Sequence, residues 1–352
     1  MKVAYIIPAL DNKGPVVFTQ YLLSFLKEKL EYIEIFYFHD RTPIDFFGIT
    51  CKKISFISKI DFSKFDIVHT TGALPDLYAA LFIDKKKWVT SMHNYIEDDI
   101  GMAYGNVKAF IIVSIWKWAI KKCHYNIVSS NQMKLYYESF IGKNVYFEVI
   151  PYGIKEKEYK DILENDTKLF QKLRGTKKTI VGSVGFLIQR KGYLQLLPII
   201  ADNPDYVLVL IGTGTEKTRI ESEAARLKIS DRIFLLGFRD NSYNYYKYFD
   251  IYAHVSFSEG FGLAMLEAMS KSLPIICSRL PIYEDFMTDN DVSYFTPGNF
   301  ESLKEAFRRV TNNITKYKKA SYCLFKNKFC VEVEGIKHIK LYEKMIYGEL
   351  KI

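Results

Sequence analysis

Short apolar runs alternate with amphipathic stretches along this chain from end to end, the pattern of a parallel sheet wrapped by helices. A first set of runs predicts strands at Val3–Pro8, Ile33–Phe38, Ile67–Thr70, Trp88–Met92, Tyr125–Ser129 and Val145–Ile150, with helices over Val16–Leu30 and Ala109–Lys122. Pro151-Tyr152-Gly153 punctuates that set. Lys155–Lys178 is charged and weakly periodic, as suits a hinge or linker plus one helix. A second set follows. It predicts strands at Thr179–Val184, Val207–Ile211, Ile233–Leu236, Ile251–Val255 and Pro274–Cys277, and helices over Tyr193–Ile200, Lys217–Lys228 and Gly262–Lys271. Val331–Leu350 reads as one amphipathic helix with no strand to accompany it, so it must pack on a domain already formed.

The expected architecture is therefore α/β: two doubly wound domains, residues 1–154 and 155–330, facing a central cleft, plus a terminal helix over 331–352. Ligands of such sheets sit at the carboxyl ends of the strands. The loops to inspect are Pro8–Pro15, Thr70–Leu74, His93–Gly101, Gly185–Gly192, Gly212–Glu216 and Ser256–Gly262.

Composition narrows the partners. A length of 352 residues suits two cores, and 49% hydrophobic with 25% charged residues is the balance of a globular protein, not of a disordered one. The net charge of +9 fits anionic ligands such as nucleotides, phosphates or membrane lipids. Zinc-finger spacing, a basic-region heptad and an RNP-like stretch are all missing, so nucleic acid is not an expected partner. Five scattered cysteines without a CxxC read as free buried thiols in a reducing compartment. The N-terminal apolar run is short for a signal peptide, and Ala109–Ile115 with Trp116-Lys117-Trp118 is too short and too charged to span a bilayer. A cytoplasmic protein, or one peripheral on the cytoplasmic membrane face, is expected.

The chemistry concentrates in Ser256–Met269, SFSEGFGLAMLEAM. Glycines just before a helix let its N–H groups approach an anion, and the helix dipole favours negative charge there. Glu259 ends the loop, and Glu267 falls two turns further on, on roughly the same helix face as Gly260 and Leu263. Upstream, Arg190-Lys191-Gly192 places cations in a strand-to-helix loop, where Lys191 is a natural diphosphate ligand.

Ser256–Met269 resembles the Glu-x7-Glu signature of family 4 glycosyltransferases, retaining enzymes with the GT-B fold of two Rossmann-like domains. Asp250–Ser256 resembles the strand before the signature and Leu273–Ile276 the strand after it. GFLIQRKG (Gly185–Gly192) resembles the diphosphate loop, Leu210-Ile211-Gly212-Thr213-Gly214 the third such loop, and Ile150–Ile154 the hinge. The likeness covers nearly all of the second domain and is looser over the first.

The resemblance implies transfer of a hexose-type sugar from a nucleoside diphosphate sugar, UDP-sugar favoured, with no cofactor and no metal. The acceptor it implies is a saccharide, in a lipid-linked form suited to surface polysaccharide assembly. Lys191 and Arg190 would hold the diphosphate, Glu267 the ribose and Glu259 the donor sugar. Gly212, Gly260, Phe261, Gly262 and Leu263 would supply room and backbone donors, and the terminal helix would cross back to the first domain. Leaving-group charge would be the main electrostatic task, the leaving phosphate would help deprotonate the acceptor hydroxyl from the front face, and domain closure would exclude water. In the first domain, His93 would contact the donor sugar and Gly14 would allow close approach near the reacting centre.

One departure stands out: Phe186 occupies a position where such enzymes often carry arginine, so either Arg190 substitutes or backbone amides hold more of the diphosphate. His69 reads as a core or supporting group, and Glu97-Asp98-Asp99 as a solvated loop. Asp289-Asn290-Asp291, which looks like a metal motif, reads as a polar turn. Trp116, Lys117, Trp118, Lys121 and Lys122 form a basic aromatic helix end that suits either a lipid headgroup surface or a core-packed helix with a solvated end. A sugar-nucleotide epimerase of the same fold and a non-catalytic partner subunit remain the alternatives.

Overall fold

The computed structural model describes residues 1–11, 14–40, 44–93, 95–96, 106–142 and 145–348, with only the backbone of 106–109. The chain divides into two units, Met1–Lys155 with Phe329–Ile352, and Glu156–Lys328.

The first unit carries seven parallel strands among its described residues: β1 (Lys2–Ala9), β2 (Tyr32–His39), β3 (Thr50–Lys53), β4 (Ile67–Thr71), β5 (Trp88–Met92), β6 (Tyr125–Val128) and β7 (Phe147–Val149), in the order β3-β2-β1-β4-β5-β6-β7. The inner strands β4 and β5 are buried throughout, which is why their sequences read as unbroken apolar or small-polar runs. The edge strand β3, Thr-Cys-Lys-Lys, is largely exposed and shows no such run, so the hydrophobic pattern misses it. The pattern also misses two helices. Ala73–Phe82 starts behind Gly72 with no side-chain cap, whereas Asn131–Ile141 announces itself through Ser130, whose hydroxyl accepts from the Met133 amide. The helix predicted over Val16–Leu30 runs from Gly14 to Leu26.

The second unit repeats the plan with β8 (Thr179–Val184), β9 (Tyr206–Ile211), β10 (Ile233–Gly237), β11 (Ile251–His254), β12 (Ile275–Ser278) and β13 (Ser293–Phe295), all parallel, in the order β10-β9-β8-β11-β12-β13. Instead of one helix over Tyr193–Ile200 there is a 3-10 turn, Tyr193–Gln195, leading into the helix Leu196–Asp202. The amphipathic helix Phe300–Asn312, capped by Asn299, and the helix Ile314–Leu324 complete this unit.

The C-terminal helix, Val331–Tyr347, belongs to the first unit. Ile154 pairs with Cys330 just before it, Leu341 and Tyr342 join the core under β1 and β4, and Gly335 lies against the Phe25 ring, where a Cβ would come within 2.1 Å. In each sheet the strand order reverses beside the first strand, between β1 and β4 and between β8 and β11. Crevices at such reversals are where doubly wound sheets bind ligands.

Candidate functional site

At the reversal in the second unit, the loops after β8 and β11 converge. Gly192 lets them meet. Its backbone is left-handed (φ +68°), and a Cβ there would stand 2.2 Å from the Val255 carbonyl oxygen. The Phe257 amide then donates to the Arg190 carbonyl at 2.8 Å, tying one loop to the other.

This contact delivers Glu259 to two cations. Lys191 Nζ lies 2.6 Å from Glu259 Oε1 and Arg190 Nη1 3.2 Å from Oε2, while the Ser256 hydroxyl donates to Oε1 at 2.6 Å. The Glu259 side chain is only 5% exposed. Burial pushes its pKa up, but His254, which becomes charged in the acid range, the Lys191 cation and the bonds from Lys191 and Ser256 outweigh that and bring it down to about 2. His254, 3.5 Å away, is itself lowered to about 4 by burial and is neutral at pH 7, so the cations there are Lys191 and Arg190. Two positive charges facing one carboxylate leave the cluster net positive, a setting for a further anion.

Glu267 lies on the helix Leu263–Ser270, one turn beyond Leu263; Gly260 precedes the helix instead of sharing a face with it. The Tyr246 hydroxyl lies 3.0 Å from both Glu267 Oε2 and the Ala264 carbonyl oxygen, which share its one hydrogen. Burial raises the Glu267 pKa, against the lowering by Lys157 and Tyr246. Gly262 starts the helix at φ +100° without a side-chain cap, and a Cβ there would press on the Tyr283 hydroxyl at 2.7 Å. The Phe261 ring is buried against Phe286, so what Phe261 presents to a ligand is backbone. Ser256, His254, Tyr246 and Tyr283 support the two glutamates and went unread in the sequence, since isolated hydroxyls carry no spacing signal.

Gly212 follows β9 and bridges to Gly237, the last residue of β10. Here the ends of β8, β9 and β10 line a pocket that includes Gly185, Phe186, Gly212, Phe238 and Arg239. Phe186 and Phe238 are 66% and 63% exposed. Phe186 and Phe238 thus each turn an open aromatic face outward here. Asp289-Asn290-Asp291 is a turn, with Asp289 paired to Arg279 and Asp291 accepting from the Thr288 amide and hydroxyl. Among the described residues no group of His, Cys, Asp and Glu is arranged to hold a metal.

In the first unit a cavity of about 210 Å³ opens at the other reversal, lined by Pro8, Pro15, Gly72, Met92, His93 and Asp76 among others. His93 follows β5 and stacks on Tyr152 at 5.2 Å; both its ring nitrogens are buried without a hydrogen-bond partner among the described residues. Burial, then repulsion from His338, lowers its pKa to about 3. Gly14 opens its helix with nothing within 4 Å of where a Cβ would stand. Lys13, Asn94 and Glu97-Asp98-Asp99 lie outside the described residues. His69 is a core group, bonded to Tyr342 and Ser91.

Of the two readings of the basic aromatic helix end, Trp116 follows the core-packed one. Trp116 is buried, and its Nε1–H donates to Asp76 Oδ2 at 2.7 Å, because the helix Asn106–Ile120 turns that face inward. The outward face carries Phe110, Ile111, Ile115 and Trp118, with Lys122 Nζ 3.5 Å over the Trp118 ring. Among the described residues no helix is long and apolar enough to cross a membrane. The cysteines are free, but Cys323 is exposed and Cys51 half-buried.

Residues 164–323 match the model of the family Glycosyl transferases group 1. The O-antigen biosynthesis glycosyltransferase WclY of Escherichia coli is 25% identical, over 98% of this chain and 99% of that protein. A UDP-Gal:alpha-D-GlcNAc-diphosphoundecaprenol alpha-1,3-galactosyltransferase of Escherichia coli is 26% identical over 69% of this chain and 68% of its own. The solved structure of Anabaena Alr3699/HepE in complex with UDP superposes with a TM-score of 0.79 at 16% identity, covering 98% of this chain and 100% of that one. The fold is GT-B.

Proposed function

We propose that the chain is a glycosyltransferase that moves a hexose-type sugar from a nucleoside diphosphate sugar, UDP-sugar favoured, to a saccharide acceptor with retention at the anomeric carbon. The observation that carries this reading is Glu259, buried and ionised between Lys191 and Arg190 at the strand reversal of the second unit. A carboxylate held there accepts hydrogen bonds from sugar hydroxyls, and the surplus positive charge attracts a diphosphate. As the bond to the sugar breaks, negative charge grows on the departing diphosphate, and Lys191 and Arg190 stabilise it as it forms. The leaving phosphate takes the acceptor hydroxyl's proton on the same face. Glu267, steadied by Tyr246, takes the ribose hydroxyls, and His93 in the first unit contacts the sugar. The decisive assay offers UDP- and GDP-sugars and follows nucleotide release and sugar transfer. Interconversion of the sugar without nucleotide release would show an epimerase instead, and no turnover with tight nucleotide binding a partner subunit.

The open rings of Phe186 and Phe238 give the nucleobase its place beside Gly212. Stacking of a base on an aromatic ring contributes about 1–3 kcal/mol. Phe238→Ala is therefore expected to raise KM for the donor at least about fivefold with kcat little changed. An unchanged KM would remove the base from this pocket.

The acceptor is read as lipid-linked. The name of the alpha-1,3-galactosyltransferase relative gives a diphosphoundecaprenol acceptor for that protein, and WclY is named for O-antigen biosynthesis. In this chain the helix Asn106–Ile120 offers an apolar outward stripe, with Phe110 75% and Trp118 46% exposed, next to Lys121 and Lys122. Such a stripe buries apolar area at a headgroup boundary while each lysine adds about 1 kcal/mol on an anionic surface. Phe110→Ser/Trp118→Ser is expected to lower sedimentation with vesicles containing anionic lipid several-fold while sparing transfer to a water-soluble acceptor. Equal sedimentation of variant and parent would end the membrane reading.

A further inference from the structure

Between the C-terminal helix and β5 the first unit encloses a second, much smaller cavity, lined by His69, Ser91, His93, Tyr152, Glu334 and His338 among others. It has room for about one water, and a buried water needs two to four polar partners. The wall supplies them. His93 lines this cavity as well as the larger one, and neither of its nitrogens is bonded among the described residues. Glu334 is buried in the first turn of the C-terminal helix, with Oε2 accepting from the Gly153 amide at 2.9 Å. His338, one turn on, has Nδ1 3.0 Å from the Glu334 carbonyl, so that nitrogen carries its hydrogen and Nε2 is the acceptor. His338 also stacks on His69, whose two nitrogens are taken by Tyr342 and Ser91 at 2.6 and 2.7 Å. Both other imidazoles here, His69 and His338, are thus fixed by a partner, and among the described residues His93 has none.

We propose that Glu334 acts through one water in this cavity to hold the His93 ring in a single tautomer, making the C-terminal helix the positioning element for His93. Burial raises the Glu334 pKa well above the ordinary carboxyl value, which favours the protonated carboxyl as the donor to that water. The water passes a hydrogen to the His93 nitrogen facing the small cavity. The opposite nitrogen then keeps its own hydrogen and presents it as a donor to the larger cavity, where a sugar oxygen can accept it. The tautomer claim stands on the cavity and on the protonated Glu334 that lines it; its consequence for catalysis rests on the reading of His93 as a sugar contact.

The test is nitrogen NMR of the histidine rings in the full chain without substrate, with His93 assigned by its loss in His93→Gln. The parent is expected to show one His93 tautomer. Glu334→Gln keeps an acceptor for Gly153 and an N–H for the water, and should preserve that tautomer. Glu334→Met should give a mixture, and in the transfer assay kcat should fall about 10–100-fold with donor KM within about twofold, the scale on which groups behind a ligand act. Should Glu334→Met fail to fold, Glu334→Asp, which keeps the acid but withdraws it by one methylene, should give the mixture. A His93 ring already mixed in the parent, or unmoved by Met and Asp, overturns the relay. Intact tautomer control in a protein that transfers no sugar would instead count against the enzymatic reading.

Discussion

Replacing Glu259 by glutamine is expected to abolish at least about 99% of sugar transfer while leaving UDP binding intact or tighter. Glutamine keeps the size of the side chain and an oxygen for Ser256 and Lys191, but removes the charge that Lys191 and Arg190 face. The freed cations then meet a diphosphate without competition. Lys191→Ala should do the reverse and weaken UDP binding as well as turnover. Calorimetry with UDP separates the two: if Glu259→Gln loses UDP binding as Lys191→Ala does, Glu259 is not the sugar ligand. A stability effect accompanies the catalytic one. A carboxyl whose folded pKa is lowered to about 2 stabilises the fold above its unfolded pKa, near 4.3, and that contribution disappears as pH falls through the folded value. The difference corresponds to roughly 3 kcal/mol. Urea unfolding of the second unit, followed by hydrogen exchange between pH 6 and pH 3, should therefore show a slope in the parent that is flatter in Glu259→Gln.

What the sequence disclosed follows how local each signal is. Strands buried on both faces, such as β5 and β8, are legible because burial demands unbroken apolar or small residues. The edge strand β3 owes its place to pairing with β2, which no local pattern encodes. In the second unit the loop, helix start and flanking strands around Ser256–Met269 are contiguous, so the candidate pair Glu259 and Glu267 could be named from one segment. Lys191 lies 68 positions from Glu259, and their pairing needs the β8–β11 adjacency that only the fold supplies. The first unit hid more, because its polar groups are joined over long separations: Tyr342 to His69, Glu334 to Gly153, Trp116 to Asp76. Trp116 shows why the choice between a surface and a core-packed helix end stayed open. Its lysine neighbours made a surface reading natural, while the acceptor that draws it inward sits 40 residues earlier, on a helix the hydrophobic pattern did not reveal.

That acceptor carries the second large effect: Asp76→Ala is expected to destabilise the first unit by about 3 kcal/mol at pH 7. Asp76 is buried, with Oδ1 accepting from the hydroxyls of Thr70 and Thr90 at 2.6 Å and Oδ2 from Trp116 Nε1 at 2.7 Å. Truncation leaves three buried donors unpaired, and each costs about 1–3 kcal/mol, offset by loss of the penalty for burying a charge. The Thr70 hydroxyl is held from the other side by Trp88 Nε1 at 2.8 Å, which limits how far the group can rearrange. Burial outweighs these three bonds and raises the Asp76 pKa to about 6. The sign is opposite to that of Glu259. A raised carboxyl costs stability once it ionises in the folded state, so the first unit should gain stability as pH falls from 7 through 6 towards 4. Asp76→Asn, which cannot ionise, should lose that gain while meeting the indole N–H or the hydroxyls with an amide NH2 instead of an oxygen. All three tryptophans of the chain, Trp88, Trp116 and Trp118, lie in the first unit, so their fluorescence in a denaturant titration reports that unit by itself. A transition in Asp76→Ala within 1 kcal/mol of the parent at pH 7 would mean the three donors find other partners, and the buried carboxylate would lose its place as the anchor of the helix that carries Trp116.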